Sequence, residues 1–354
     1  MTVDDYLKGL LARDRGVLAR AITLIESSRP DHQHMARELV QRVLPHSGKS
    51  IRVGLTGVPG AGKSALIEAF GGLLTADGHR VAVLSVDPSS ARSGGSLLGD
   101  KTRMIKLSTD PNAFIRPSPS GLVLGGVARQ TRETMLLCEA AGYDIILIET
   151  VGVGQSEGTV AEMADFLLVL MLAGAGDELQ GIKRGLLELA DLIAITKADG
   201  QNVLPARQAQ AKYSYAMHLL ADPGQGTAQV VTCSALEGSG LKEIWKIIFD
   251  RTAERERSGY LHKRRSEQNA NWMWSLVDQQ IHDMLRQRPA VSAVAQAAAA
   301  RVRAGTLSPV TASERIIAAL FADAAPFAGA ELGLDEPGKP VAVSYPRDAA
   351  LERA

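Results

Sequence analysis

Residues 57–64 read Gly57-Val58-Pro59-Gly60-Ala61-Gly62-Lys63-Ser64, a complete G-x-x-x-x-G-K-S phosphate-binding loop. No other stretch so narrows what the chain can fold into. Glycines let a backbone curl tightly and aim successive N–H groups at phosphate oxygens. At this spacing Lys63 reaches the β and γ phosphates, and the Ser64 hydroxyl is placed to ligate Mg²⁺. The flanks agree. Ile51–Thr56 alternates like a strand entering the loop. Ser64, Ala65 and the residues that follow leave it like a helix, whose positive amino end faces the phosphates. A chance glycine-rich turn has no reason to carry both flanks. A nucleoside triphosphate is therefore the expected ligand.

The other strands surround this loop in a legible way. Apolar runs occur at Ile51–Leu55, Val81–Val86, Asp144–Glu149, Phe166–Leu172, Leu192–Thr196 and Gln229–Thr232. Helical segments alternate with them, notably Val127–Ala141 and Glu178–Leu189. Such runs predict strands buried on both faces of a mostly parallel sheet, an α/β fold flanked by helices. Ligands of such sheets bind beyond the carboxyl ends of the strands. Residues 1–50 read as an N-terminal helical extension, with Arg29-Pro30-Asp31 separating two helices. Residues 51–250 form the expected nucleotide core and 251–321 a C-terminal helical arm, with a loose tail from 322. In the arm, Trp272, Leu276, Met284 and Leu285 fit one helical stripe, with Ile281 at its edge. Thr311-Ala312-Ser313-Glu314 reads as a capping box before Arg315–Leu320.

Two further strand ends carry candidate chemistry. The strand at Asp144–Glu149 ends in a carboxylate, where Glu149 can hold the shell of a Mg²⁺ ion or position water. The Gly152 that follows lets a backbone N–H approach the γ phosphate and sense its presence. Thr196-Lys197-Ala198-Asp199 approximates the guanine signature N-K-x-D. Asp199 can accept from guanine N1–H and its N2 amine, a pair adenine does not offer. The Lys197 stem packs along the base. Thr196 replaces the usual Asn, and a hydroxyl makes fewer bracing bonds than a carboxamide. Looser guanine selection is expected. Ser234, Ala235 and Leu236, after another strand, resemble the loop whose backbone meets guanine O6. Between residues 86 and 104 lies a Gly/Ser-rich stretch with Asp87 and Asp100, suited to a switch loop that orders around the metal.

Composition excludes several alternatives. The formal net charge is +0 over 354 residues, so nothing draws the chain globally to nucleic acid or an anionic membrane. The run His262-Lys263-Arg264-Arg265 fits a solvated helix face better than a nucleic-acid patch, because acids interrupt its surroundings. Cys138 and Cys233 have neither zinc nor disulfide spacing and read as small buried hydrophobes. Acids stand near the N-terminus where a signal peptide carries lysines, and no apolar run reaches membrane length. A cytoplasmic location is expected.

Three segments together resemble a known family. They are Val86–Ser90, Glu149–Glu157 and Gly176–Lys183. They are similar to the methylmalonyl-CoA mutase-associated GTPases of the MeaB/ArgK group, to which the methylmalonic aciduria type A protein is related. The resemblance runs from the N-terminal helices to the helix near Arg315. It implies a P-loop core of the metallochaperone-GTPase type, bound to GTP or GDP with Mg²⁺. It also implies a homodimer made through the C-terminal helices. The implied role is a chaperone that couples GTP hydrolysis to adenosylcobalamin loading, protection and reactivation of a B12-dependent acyl-CoA mutase. Carried onto this chain, Lys63 and Ser64 serve phosphate and metal, and Asp87, Asp100 and Glu149 match the metal-side acids. Lys197 and Asp199 match the base readers. Asp177, Gln180 and Lys183 fall in a further switch loop that faces the mutase. No glutamine directly follows Gly152, which predicts slow hydrolysis until a partner repositions residues 177–183. A metal-insertion GTPase, a small-molecule kinase and a nucleotide-gated module without turnover share parts of this pattern.

Overall fold

The computed structural model describes residues 1–86, 104–117, 124–150, 156–174, 184–220 and 228–322. The chain opens with three helices, α1 (Val3–Leu11), α2 (Arg15–Glu26) and α3 (Pro30–Val43). The sequence reading had merged α1 into the helix that follows it. The break comes at Arg13, whose φ of 63° is left-handed, and at Asp14, whose carboxylate caps α2 by accepting from the N–H groups of Gly16 and Val17. Such a cap satisfies two donors that a new helix start leaves open.

The core then alternates strand and helix, as the apolar runs predict. It comprises β1 (Ile51–Gly57), α4 (Lys63–Ala76), β2 (Val81–Val86), α5 (Ile105–Thr109), β3 (Ala113–Arg116), α6 (Leu124–Ala140), β4 (Ile145–Thr150) and α7 (Ser156–Ala161). It continues with β5 (Phe166–Leu172), α8 (Arg184–Leu189), β6 (Leu192–Thr196), α9 (Val203–Leu220), β7 (Gln229–Thr232) and α10 (Leu241–Arg257). The seven strands form one sheet in the order β3-β2-β4-β1-β5-β6-β7, every neighbouring pair parallel. Strand β1 sits between β4 and β5, with Leu55 level with Glu149 and with Leu168. That register gathers the ends of β1 and β4 at one edge. Strand β3 escaped the sequence reading because it is only four residues long and lies between turn residues. The helix read as Val127–Ala141 begins three residues earlier, at Leu124.

Arginines tie the amino ends of the strands together. Asp165 accepts a fork from Arg265 at 2.8 and 2.6 Å and a bond from the Arg52 N–H at 2.9 Å. Arg265 also donates to the carbonyls of Gly48 and Ser50, and Arg255 pairs with Asp191. The basic run is thus no solvated face at Arg265, which is half-buried against its partner acid. Arg264 likewise donates to the Ala161 carbonyl. On the other side of Arg52, Glu139 accepts its guanidinium at 2.8 and 3.0 Å, together with the Ser50 hydroxyl and the Gly48 N–H.

The C-terminal helices are α11 (Tyr260–Gln287), α12 (Pro289–Arg303) and α13 (Pro309–Ala322). Residues 1–276 form one compact unit and those from 277 another. Within the second, α12 and α13 pack on each other through Val291, Ala298, Ala312 and Leu320. The cap of α13 is Ser308, whose hydroxyl accepts from the Thr311 N–H at 3.1 Å, with Pro309 at the first helical position. Thr311 therefore lies inside the helix and does not cap it. Proline at the first turn is the stronger start signal because its missing N–H is no loss there. The expected stripe on α11 also divides. Trp272 packs on the main core, whereas Met273, Trp274, Val277, Ile281 and Met284 are exposed. The tail read as loose lies beyond the described residues.

Candidate nucleotide site

Strand β1 delivers the chain into the phosphate loop, and close contact with β5 holds it there. The Val58 N–H donates to the Leu170 carbonyl at 3.2 Å. A Cβ on Gly57 would lie 2.2 Å from that same carbonyl oxygen, so only glycine permits the approach. Val58 and Ala61 are buried and Pro59 and Gly60 exposed, while Gly62, in a left-handed conformation, stands at the N-cap of α4. Lys63 and Ser64 follow as the first residues of the helix, half-buried. Lys63 Nζ donates to the Gly57 carbonyl at 2.9 Å, curling the side chain back over the loop.

The segment after β6 is bonded directly to this loop. Thr196, 3% exposed, directs Oγ1 at the Ala61 carbonyl at 2.7 Å and the Met171 carbonyl at 3.1 Å. One hydroxyl proton serves both acceptors. Lys197 has a φ of 57°, and its Cε lies 3.9 Å from where a Cβ on Gly62 would stand. Its stem thus runs over the phosphate loop. A left-handed lysine costs of order 1 kcal/mol, and such strain collects at functional sites. Asn202 Nδ2 stabilises the bend by donating to the Lys197 carbonyl at 2.6 Å. Asp199 accepts from the buried Ser234 hydroxyl at 2.5 Å. Ser234 Oγ in turn accepts from the Glu237 N–H, so two predicted base-side loops close on one another. Beneath them, burial pushes the Cys233 thiol up to about 12, which leaves it an inert packing group. Cys138 is buried and free too, as its spacing suggested.

Ala65, Ala235 and Leu236 line a cavity of about 640 Å³ that runs along α4 and α5, past Glu68, Lys106 and Asp110. That volume lies in the range of small-molecule sites. Glu68 accepts from the Lys106 N–H at 2.7 Å and so caps the short α5 that forms one wall.

Glu149 is 2% exposed at the end of β4, where the Ser85 hydroxyl donates to it at 2.8 Å. Next to it Thr150 Oγ1 bonds Thr56 Oγ1 at 3.1 Å, linking β4 to β1 just before the loop. The Ser85–Glu149 pair follows from strand register, since the two residues are level in β2 and β4. Sequence reasoning missed it because the two are far apart in the chain. Among the described residues, the predicted metal-side donors are the Ser64 hydroxyl and the Glu149 carboxylate. Both are hard oxygens, and no group of three His, Cys, Asp or Glu gathers among the described residues. That donor set fits Mg²⁺, which keeps waters and phosphate oxygens in its shell, better than a metal needing an all-protein cage. Asp87, Asp100, Gly152, Asp177, Gln180 and Lys183 all lie outside the described residues.

Comparison with known proteins decides which kind of nucleotide protein this is. The family model for methylmalonyl Co-A mutase-associated GTPase MeaB matches residues 18–290. The chain belongs to that family. A putative GTPase of Caulobacter vibrioides is 52% identical over 321 residues, covering 90% of this chain and 98% of the relative. The mitochondrial methylmalonic aciduria type A homolog of Mus musculus is 47% identical, covering 90% of this chain and 79% of its own. GTPase ArgK of Escherichia coli is 45% identical, covering 88% and 94%. A crystal structure described as an LAO/AO transport system kinase superposes with a TM-score of 0.72 at 39% identity, covering 89% of this chain and 96% of its own. The fold is that of the P-loop NTPases, and this member of the MeaB family is a GTPase. Among the described residues no helix is long and apolar enough to cross a membrane.

Proposed function

We propose that this MeaB-family GTPase is a chaperone for a B12-dependent acyl-CoA mutase, gating adenosylcobalamin loading, protection and reactivation. The observation that carries the reading is the family match across residues 18–290, which spans the core and all of α11. In this reading Asp199 and Ser234 read guanine while Lys197 covers the base. The amino end of α4 and Lys63 hold the phosphates. Ser64 and Glu149, with Asp87 and Asp100, would hold Mg²⁺, which would supply positive charge beside the phosphates. Phosphoryl transfer to water needs positioning and charge stabilisation more than covalent chemistry. Glu149, shielded from solvent and held by the Ser85 hydroxyl, is placed to orient groups at the end of β4. Asp177, Gln180 and Lys183 complete the machinery when the mutase engages them, so hydrolysis is slow in the free protein.

The protein works in the cytoplasm as a homodimer. The exposed apolar line Val277, Ile281 and Met284 on α11 supplies the dimer face, since its spacing is that of one helical stripe.

The test is GTP turnover measured with and without purified acyl-CoA mutases that use B12. The expected result is a rise in kcat by orders of magnitude with the client, lost in Lys183→Ala. Turnover that no such mutase changes would overturn the chaperone reading and leave a stand-alone GTPase.

A further inference from the structure

Helix α7 lies on the chain that runs on from Glu149 and Thr150, and its position is set from three sides. Below it is β1. A Cβ on Gly54 would fall 2.7 Å from Val160 Cγ1 and 3.1 Å from the Ala164 Cβ, so α7 rests directly on the strand that carries the phosphate loop. On the second side is α11. Gln268 Nε2 donates to the Ala164 carbonyl at 2.9 Å, and Arg264 Nη2 to the Ala161 carbonyl at 3.3 Å. The third side is α6, which contributes Arg132.

Arg132 joins these parts. Its Nη2 donates to the Glu162 carbonyl at 3.2 Å, just past the end of α7. Its Nη1 donates to the Gln268 carbonyl, inside α11, at 3.1 Å. Its guanidinium stands over the Trp272 ring, 5.5 Å from the centroid. The side chain is only 7% exposed, and the carboxylate recorded against it among the described residues is Glu162, 3.6 Å away and 62% exposed. Burial accordingly pulls its pKa below the ordinary arginine value. Burying a cation this way is a poor route to stability, because an apolar side chain of similar volume does better. What the guanidinium supplies is direction, through a rigid fork that fixes two carbonyls in one plane. Those carbonyls belong to the end of α7 and to α11.

We propose that Arg132 is a positioning residue for GTP hydrolysis, holding the carboxyl end of α7 against α11 and so fixing α7 on β1 beside the phosphate loop. It acts through the helix it holds, and small displacements of reacting groups are costly in rate. The proposal rests on GTP hydrolysis alone and is independent of the mutase.

The experiment compares the parent, Arg132→Lys and Arg132→Met in the full chain without partner. It reads kcat and KM for GTP, and the GDP dissociation constant, per nucleotide-binding site. The Met variant is expected to lose kcat by roughly 10- to 100-fold, with KM and GDP affinity within about twofold of the parent. Lysine keeps the charge but not the fork, and is expected between the two. An unchanged kcat in Arg132→Met overturns the proposal. So does a fall in kcat matched by an equal loss of GDP affinity, which marks damage to the fold of the site. Should Arg132→Met not fold, Arg132→Lys decides, and parental kcat there overturns the proposal.

Discussion

Thr196 carries more structure than its place in a base-reading motif suggests. Its hydroxyl bonds a carbonyl of the phosphate loop and one of β5 from a site closed to water. A threonine here was expected to brace less than asparagine, yet the bracing bond to Ala61 is made. Its loss leaves buried carbonyls short of a donor, at a cost of about 1–3 kcal/mol. Thr196→Val, which keeps the shape, is therefore expected to weaken GDP binding by roughly tenfold. The ratio of GDP to ADP affinity is expected to change much less, because the Ser234–Asp199 pair is untouched. Titration of both nucleotides checks this. Equal GDP affinity in the variant would show that the bond is incidental.

At the scale of elements, buried charge pairs decide how helices sit on the sheet. Glu139 of α6 holds Arg52 of β1, Ser50 and Gly48 in one cluster. Burial alone would raise its carboxyl pKa. The Arg52 guanidinium, with hydrogen bonds from Arg52, Ser50 and Gly48, outweighs that effect and holds it below the ordinary value of 4.5. A depressed folded-state pKa in an acid means the stabilisation is fully present above the unfolded value. It is lost as pH falls through the folded one. Glu139→Gln strands the Arg52 charge in the interior, at about 3–5 kcal/mol. Urea unfolding at neutral pH should show that loss. Below pH 4.5 the gap between parent and variant should narrow, since the unfolded chain takes up the proton first and the folded carboxylate follows at its lower pKa. A gap that is constant across this range would show that the charge contributes nothing.

At the scale of the whole molecule, the proposed dimer face is the apolar line on α11. Ile281 is 37% exposed and Met284 38%. If that line is a dimer face, Ile281→Glu places two charges across an apolar seam, which is unfavourable by several kcal/mol. Light scattering should then report a monomer at micromolar concentration, with helix content by circular dichroism unchanged. A parental mass in the variant would move the interface elsewhere. The same experiment separates assembly from hydrolysis, because Ile281 is remote in sequence from every nucleotide residue.

The fold class was legible in the sequence because both of its signals are local. Apolar runs of strand length announce a sheet buried on two faces, and a glycine loop with Lys63 and Ser64 announces phosphate. The turn at Lys197 and Asp199 was legible for the same reason, since the two stand two apart just after a strand. Cys138 and Cys233 were legible as packing groups because no spacing offered them a partner. What stayed hidden depends on register and on contacts across long chain separations. Ser85 facing Glu149, Thr196 reaching Ala61, and Arg265 finding Asp165 are set by which strands lie side by side. Short β3 and the start of α2 were hidden because four residues, or one capping aspartate, carry little periodicity. Arg132 is the clearest case. In the sequence it is one arginine in a helix, and only the packing of α6, α7 and α11 gives it two carbonyls and an aromatic face to hold.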